Sequence, residues 1–203
     1  NLLENDQDAL ERFHSEARSA ASLVHRHIVT VHNIGQHDGL HFIELEYVPG
    51  TSLEQIVYDR GPVDVAQATI WMSEVAHALA SAHDLGMIHR DIKPANILIG
   101  SHGEAKIADF GLCKPVHGRD PIASFIAGTP PFMAPELLYG EPQTPSSDVY
   151  AVGVSYFFLL TGHLPFESAS LSTLKKHHKA GPAPSVQTFT PDLPNEVASI
   201  IAQ

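Results

Sequence analysis

The sequence predicts an α+β domain in which helices outweigh strands, and three observations carry this prediction. Runs 31–35 and 40–48 are rich in β-branched and aromatic residues and are separated by a short turn signal, which is typical of two antiparallel strands. Residues 64–84 repeat apolar side chains at the spacing of one helix face. Residues 149–161 are apolar on nearly all sides, which favours a helix in the middle of a core.

The first elements have clear local boundaries. Asp38-Gly39 lies between the two strand-like runs and favours a tight hairpin turn, and Pro49-Gly50 ends the second run. Ser52 is then placed to cap a short helix through residue 58. The pattern up to this point fits a plain hairpin followed by a helix.

The two long helices also have start and stop signals. Asp64, with Gln67 three residues later, forms a pattern similar to a capping box, and Gly86 suits the left-handed position that ends a helix. Ser147-Asp148 precedes the all-apolar run, so we expect these two residues to cap that helix.

Both ends of the chain have weaker helical patterns. Over residues 10–20 the apolar side chains recur at helical spacing, and Glu16 falls at the edge of the apolar face. Periodicity alone makes Glu16 a boundary residue whose carboxylate remains in water. Residues 168–180 predict one helix, 181–194 a proline-rich loop, and Asn195 the start of another helix.

Composition excludes several classes of protein. With 203 residues, 43% hydrophobic and 17% charged, the chain is globular and long enough to bury a core. Its net charge of −11 argues against a nucleic-acid-binding protein. That charge is compatible with basic peptide substrates, but solubility alone accounts for it.

Cysteine and hydropathy give no sign of an oxidising compartment or of membrane contact. Cys113 is the only cysteine, so an intrachain disulfide is not possible. The most apolar stretch, 149–160, is well short of the ~20 residues that span a bilayer. We expect a cytoplasmic location, or the cytoplasmic face of a longer, membrane-tethered protein. The 14 histidines lack the spacing of a zinc site.

The chemistry is concentrated in residues 89–96, which read His-Arg-Asp-Ile-Lys-Pro-Ala-Asn between a helical pattern and a short strand-like run. Asp91 and Asn96 lie five residues apart on this loop, where a carboxylate can accept a proton and an amide oxygen can hold a hard cation. Thirteen residues after Asn96, Asp109 adds a second acidic group at a tight turn.

Residues 109–136 form a long segment with little periodicity and many glycines and prolines. A loop of this length in a compact domain is usually functional. It ends in Gly-Thr-Pro-Pro-Phe-Met-Ala-Pro-Glu at 128–136.

Four motifs together resemble the eukaryotic-type (Hanks-type) serine/threonine protein kinases, and their style is similar to that of the bacterial members. They are H-R-D-x-K-P-x-N at 89–96, D-F-G at 109–111, G-T-P-x-x-M-A-P-E at 128–136 and S-D-V-Y-A-x-G at 147–153. One such motif recurs by chance, but four in the family's order and spacing do not. The resemblance covers nearly the whole chain from the helix with Glu16 onward.

The resemblance implies a two-lobe kinase fold that is mostly the helical C-lobe. Residues 1–48 would form a partial N-lobe with helix C, strands 4 and 5 and the hinge, and 49–203 an incomplete C-lobe with the catalytic loop and activation segment. The family's Gly-rich loop and strand lysine do not occur in these residues. We therefore expect a domain truncated at both ends, with little or no kinase activity by itself.

The resemblance also implies an ATP-dependent enzyme that transfers the γ-phosphate to Ser or Thr hydroxyls of a protein substrate. Asp91 would accept the substrate proton, while Asn96 and Asp109 would hold Mg²⁺ against the ATP phosphates. Lys93 would steady the γ-phosphate, and Thr129 would help to seat the substrate hydroxyl.

The nucleotide pocket follows from the same resemblance. Glu16 would pair with the strand lysine that orients the phosphates. Glu46 and Val48 would hydrogen-bond adenine through the hinge backbone, Leu45 would guard the back of the pocket, and Leu98 would complete the nucleotide-binding residues.

Regulation and structural support are implied as well. Arg90 resembles the arginine that grips a phosphate on the activation segment, for which Ser124 is the candidate. Asp148 resembles the buried aspartate that fixes the backbone of the catalytic loop. The alternative function is a pseudokinase or scaffold that uses the fold for binding, and the lysine upstream of Asn1 would discriminate between the two. Oligomeric state stays open.

Overall fold

The computed structural model describes residues 20–110, 129–168 and 170–202. Almost all of the helix expected over 10–20 therefore lies outside the described residues.

A two-stranded antiparallel hairpin is the first sheet. Strand β1, Val31–His37, pairs with β2, Leu40–Leu45, and Asp38 and Gly39 both have positive φ at the turn. The predicted hairpin is confirmed, although β2 ends three residues before the predicted boundary at 48. The chain leaves the ladder there, where the backbone N–H of Glu46 donates to the carbonyl of Thr30, which precedes β1.

A second, three-stranded antiparallel sheet has the order β3-β4-β5. Its strands are β3, Thr51–Ser52, β4, Ile97–Ile99, and β5, Ala105–Ile107. The first and last residues of β4 and β5 are buried on one face. Leu98 and Lys106, which pair in register, therefore share the opposite, half-buried face.

The first two described helices begin at the predicted caps. Helix α1, Leu53–Arg60, begins after Ser52, whose side chain accepts a hydrogen bond in the first turn. Helix α2, Val65–Asp84, begins after Asp64, whose carboxylate accepts two backbone N–H groups. Two residues beyond α2, Gly86 has a φ of 74° and turns the chain toward the catalytic loop.

The central apolar helix begins earlier than predicted. Helix α4, Pro145–Thr161, follows the short α3, Pro135–Leu138. Thr144 and Ser147 exchange backbone and side-chain hydrogen bonds as a capping box, and Pro145 fits the first turn. Asp148 therefore lies within the first turn instead of capping it. The predicted cap at 147–148 is confirmed for Ser147, as the second member of the capping box, and is wrong for Asp148.

Two further helices complete the described chain: α5, Leu171–Ala180, and α6, Asn195–Ile201. In the described residues, no helix combines the length and apolar character that crossing a bilayer requires.

Helices α2 and α4 pack together at the centre of the core, and β5 packs against α2. Ile28 joins this core and forms a bridge with Ile107, so the segment before β1 is attached to the second sheet. The division of the chain at residue 48 stays a prediction.

Truncating a buried side chain of α4 should destabilise the folded protein. Leu159 is fully buried, so Leu159→Ala should lower the free energy of unfolding by about 2–5 kcal/mol. Val149 on the same helix is 62% exposed, so Val149→Ala should change the free energy of unfolding by no more than about 0.5 kcal/mol. Urea unfolding measures both, and equal costs would contradict the central position of α4.

Candidate active site

A buried carboxylate fixes the start of the catalytic loop. Asp148, 2% exposed, accepts hydrogen bonds from the backbone N–H groups of His89 and Arg90, each at 2.9 Å, and lies 2.9 Å from His83 Nε2. Arg90 has a φ of 75°, which is unfavourable by about 1–2 kcal/mol for a side chain with a Cβ. Hydrogen bonds to a charged acceptor can offset this cost, so Asp148 holds the loop in its bent form.

His89 links this loop to the strand that leads to Asp109. Its Nδ1 accepts from the backbone N–H of Asp91 at 3.2 Å, so Nε2 carries the proton and donates to the Ala108 carbonyl at 3.0 Å. Its ring also meets Phe110 edge-on, with the centroids 4.8 Å apart. Burial lowers the pKa of His89 below its ordinary 6.5, although the Ala108 carbonyl and nearby carboxylates act in the opposite direction. The ring is therefore a neutral, fixed connection.

Three predicted catalytic side chains form a closed triangle. Lys93 Nζ donates to Asp91 Oδ2 at 2.6 Å and to Thr129 Oγ1 at 2.7 Å, and Thr129 Oγ1 donates to Asp91 Oδ1 at 3.0 Å. All three residues are half-buried. Each member fixes the other two, so the Asp91 carboxylate has a defined orientation.

Asn96 is bonded to Asp91 through its side chain and to the residue before Asp109 through its backbone. The Asn96 amide donates to the backbone carbonyl of Asp91 at 2.8 Å and to its carboxylate at 3.1 Å, which leaves Oδ1 as the acceptor atom of the side chain. The backbone carbonyl of Asn96 accepts from the N–H of Ala108 at 2.8 Å. Asp109 follows Ala108 directly, with a φ of 59° and an exposed side chain.

The predicted hinge is tied to the second sheet. Glu46 accepts from Lys106 Nζ at 2.5 Å through one oxygen and from the backbone N–H of Thr30 at 3.2 Å through the other. Burial raises the pKa of the Glu46 carboxyl, but the hydrogen bonds from Lys106 and Thr30 outweigh it and hold the pKa below its ordinary 4.5. Since Leu98 shares the Lys106 face of the sheet, it lies on the side of the hinge.

The backbone of the predicted hinge has groups that are available to hydrogen-bond a ligand. Within the described ranges, the carbonyl of Glu46 and the N–H of Val48 have no hydrogen-bond partner. Leu45 and Val48 are half-buried, and Tyr47 between them is 84% exposed. The structure thus presents one donor and one acceptor beside apolar side chains.

A small depression adjoins the triangle, and its lining includes Thr129. It is lined by Asp91 and by apolar side chains of the segment after Thr129, including Phe132, Met133 and Leu137. Glu136 in this segment accepts from Ser147 on α4 at 2.8 Å. The segment is therefore attached to the helix that also carries Asp148.

The backbone of Arg90 has a structural role that the sequence did not predict. Its backbone supplies both the bond to Asp148 and a carbonyl that accepts from Gln143 Nε2 at 3.1 Å, while its side chain is exposed. Glu16, Cys113 and Ser124 lie outside the described residues, so their predicted roles stay predictions.

Sequence reasoning missed three supporting residues: His83, Lys106 and Gln143. His83 falls on the apolar face of α2, and a polar side chain in that position signals a buried partner. Lys106 and Gln143 give no comparable signal, because their partners Glu46 and Arg90 are more than fifty residues distant in the chain.

Removing the hinge carboxylate should change stability in a pH-dependent way. Glu46→Gln should lower the free energy of unfolding by about 1 kcal/mol at neutral pH, because the bond from Lys106 loses its charged acceptor. The pKa of Glu46 is lower in the folded state, so this stabilisation is present above pH 4.5 and is lost as the pH falls through the folded pKa.

Urea unfolding from pH 7 down to acid pH measures the difference between Glu46→Gln and the wild type. Glu44→Gln is the matched control, since Glu44 is exposed on the preceding strand. A Glu46→Gln difference that does not shrink in acid would contradict the ion pair.

Comparison with known proteins agrees with this geometry. The family model described as protein kinase domain matches residues 2–200. The chain is 35% identical over 198 residues to serine/threonine-protein kinase PrkC of Bacillus subtilis, covering 97% of this chain and 31% of PrkC. It is 39% identical over 194 residues to the probable kinase pknA2 of Bifidobacterium longum, covering 95% and 26%.

A third relative is PknK of Mycobacterium tuberculosis, 42% identical over 167 residues, covering 81% of this chain and 15% of PknK. The chain thus spans less than a third of the length of these three relatives. The match over nearly all of its own residues, together with the site described above, confirms the expected fold: the chain belongs to the protein kinase domain family.

Proposed function

We propose that the protein containing this domain is an ATP-dependent serine/threonine protein kinase. The observation that carries the proposal is the Asp91–Lys93–Thr129 triangle with Asn96 bonded to the same carboxylate. The names of the relatives, all serine/threonine-protein kinases, support the same activity. Since ATP is a cytoplasmic cosubstrate, we also place the domain on the cytoplasmic side.

Asp91 acts as the proton acceptor. The Thr129 hydroxyl already reaches Asp91 Oδ1 at 3.0 Å, so a substrate hydroxyl entering beside Thr129 comes within the distance that proton transfer needs. Lys93 fixes the carboxylate and adds a positive charge where negative charge increases during phosphoryl transfer. Thr129 seats the incoming hydroxyl.

Asn96 and Asp109 fit a magnesium site by the chemistry of their donors. The amide nitrogen of Asn96 is used by Asp91, so its oxygen is the atom left for a ligand, and Asp109 adds an exposed carboxylate nearby. Mg²⁺ prefers such hard oxygen ligands. When bound, Mg²⁺-ATP supplies the phosphoryl group and neutralises its charge.

The hinge residues fit the adenine base. The Glu46 carbonyl and the Val48 N–H offer the acceptor and the donor, and Leu45 and Leu98 supply apolar surface on the same side. Glu16 is assigned the phosphate-orienting role by resemblance alone.

Regulation by phosphorylation is a further part of the proposal. The Arg90 side chain is exposed and makes no ion pair with a carboxylate of the described residues, so it is available to a phosphate on the activation segment. Ser124 is the proposed acceptor of that phosphate.

Catalysis is favoured over the pseudokinase alternative. Asp91, Lys93, Asn96 and Thr129 are all present and share one hydrogen-bonded cluster. A domain used only for binding has no need of a cation that orients a carboxylate toward a hydroxyl.

Asp91→Asn should slow phosphate transfer by about 10²–10⁴-fold, because the amide cannot accept the substrate proton. The measurement is incorporation of labelled phosphate from ATP into a generic protein substrate, with protein expressed from the complete reading frame. Asp84→Asn is the control, because Asp84 is exposed at the end of α2. Transfer by Asp91→Asn at the wild-type rate would refute the assigned role.

Asp109→Asn should weaken magnesium-dependent ATP binding, because it removes the charged oxygen ligand. We expect the Mg²⁺ concentration that half-saturates binding of a fluorescent ATP analogue to rise at least about tenfold. Asp59→Asn, an exposed change on α1, should leave that concentration as in the wild type. An unchanged Mg²⁺ titration for Asp109→Asn would exclude Asp109 as a ligand.

A further inference from the structure

Helix α5 has an unusual charge for this chain. It contains Lys175, Lys176 and Lys179, here called the α5 lysine stripe, and no acidic residue. The whole chain has only 12 Lys and Arg against 23 Asp and Glu. A quarter of its cationic side chains therefore lie on one ten-residue helix of a strongly acidic protein.

The lysines lie away from the buried side of the helix. Leu174, 1% exposed, packs with Met133 and Leu138, and Leu171 is packed against the same cluster. Lys176 and Lys179 are exposed, and Lys175 is half-buried. Residues three and four positions apart are neighbours on a helix, so the three ammonium groups share one outer surface.

Two of these ammonium groups converge on one aromatic ring. Lys175 Nζ lies 5.5 Å and Lys179 Nζ 5.8 Å from the centre of the Tyr139 ring, which is 51% exposed. Like charges at this spacing repel each other. No carboxylate in the described ranges lies within ion-pairing distance of either lysine, including Glu141 two residues after Tyr139. An anion between them would remove the repulsion.

The helix dipole explains only part of the stripe. Cations are favoured in the last turn of a helix, which accounts for Lys179. Lys175 and Lys176 come before that turn, and the contact of Lys175 with Tyr139 is not a helix-end interaction. The three lysines are therefore better explained by binding of an anionic ligand than by stabilisation of helix α5.

The helix that carries the stripe packs on the segment that follows Thr129, beside which a substrate hydroxyl would approach Asp91. Helix α5 packs on the 3-10 turn Pro130–Phe132 and on α3. That turn follows Thr129 directly, and Thr129 is bonded to Asp91. A polypeptide whose hydroxyl reaches Asp91 can therefore extend along the segment that supports α5.

We propose that the α5 lysine stripe and Tyr139 bind an acidic segment of the protein substrate, rich in Asp or Glu and flanking the phosphorylated hydroxyl. This inference rests on the proposed kinase function and adds a substrate class to it. Carboxylates of the substrate pair with the ammonium groups, and the local positive field in an otherwise acidic surface speeds the encounter.

The first test is a binding measurement that needs no catalysis. The probes are a fluorescent seryl peptide with a run of glutamates and its glutamine counterpart, each made with the run on either side of the serine. By fluorescence anisotropy, the wild type should bind a glutamate peptide about three- to tenfold more tightly, the size expected from two exposed ion pairs.

The variant Lys175→Gln/Lys179→Gln keeps helix propensity and removes two charges. It should bind the glutamate and glutamine peptides equally. The matched control Arg26→Gln/Arg60→Gln removes the same charge from exposed positions elsewhere and should keep the wild-type preference. The proposal would be overturned if the lysine variant still preferred the glutamate peptide, or if the control lost this preference to the same extent. It would also be overturned if the wild type had no preference for the glutamate peptide.

The second test separates this inference from the proposed function and from a lipid ligand. All three proteins, each expressed from the complete reading frame, should phosphorylate the glutamine peptide at the same rate. Absence of phosphate transfer by the wild type would refute the kinase function. The peptide binding measured by anisotropy would still test the α5 lysine stripe. Loss of binding to phosphatidylserine vesicles by the lysine variant, with unchanged peptide preference, would assign the stripe to a membrane surface and overturn a substrate role.

Discussion

The conformation of the loop at residues 89–96 depends on one buried carboxylate. Asp148, which is 2% exposed, accepts hydrogen bonds from two backbone N–H groups of the loop and lies 2.9 Å from a nitrogen of His83. A buried donor left without its acceptor costs about 1–3 kcal/mol, so the loop has a strong reason to keep this path. Burial of a charged carboxylate is unfavourable unless the carboxylate is hydrogen-bonded, and these bonds meet that need.

This interaction also positions the candidate catalytic residues. Once Asp148 fixes Arg90 in its left-handed conformation, Asp91 follows at the start of the bend and meets Lys93 and Asn96 within the same loop. Only Thr129 arrives from another part of the chain. Most residues of the site are therefore close in sequence. The residue that supports them, Asp148 on α4, is nearly sixty residues away in the chain.

This difference explains what the sequence could and could not predict. Local signals located the hairpin turn and the caps at Ser52 and Asp64, and the loop motif located Asp91 and Asn96. The start of α4 was missed because Thr144 is separated from the apolar run by residues that look like a loop. The pair of Glu46 with Lys106 was missed because it depends on how two sheets approach each other, which no periodicity encodes.

The pair between Glu46 and Lys106 has one more consequence. Lys106 precedes Asp109 by three residues, and β5 ends between them at Ile107. Glu46 is therefore attached, through Lys106, to the same short segment of chain that carries Asp109. Breaking this one ion pair would release residue 46 from the strand that leads to Asp109.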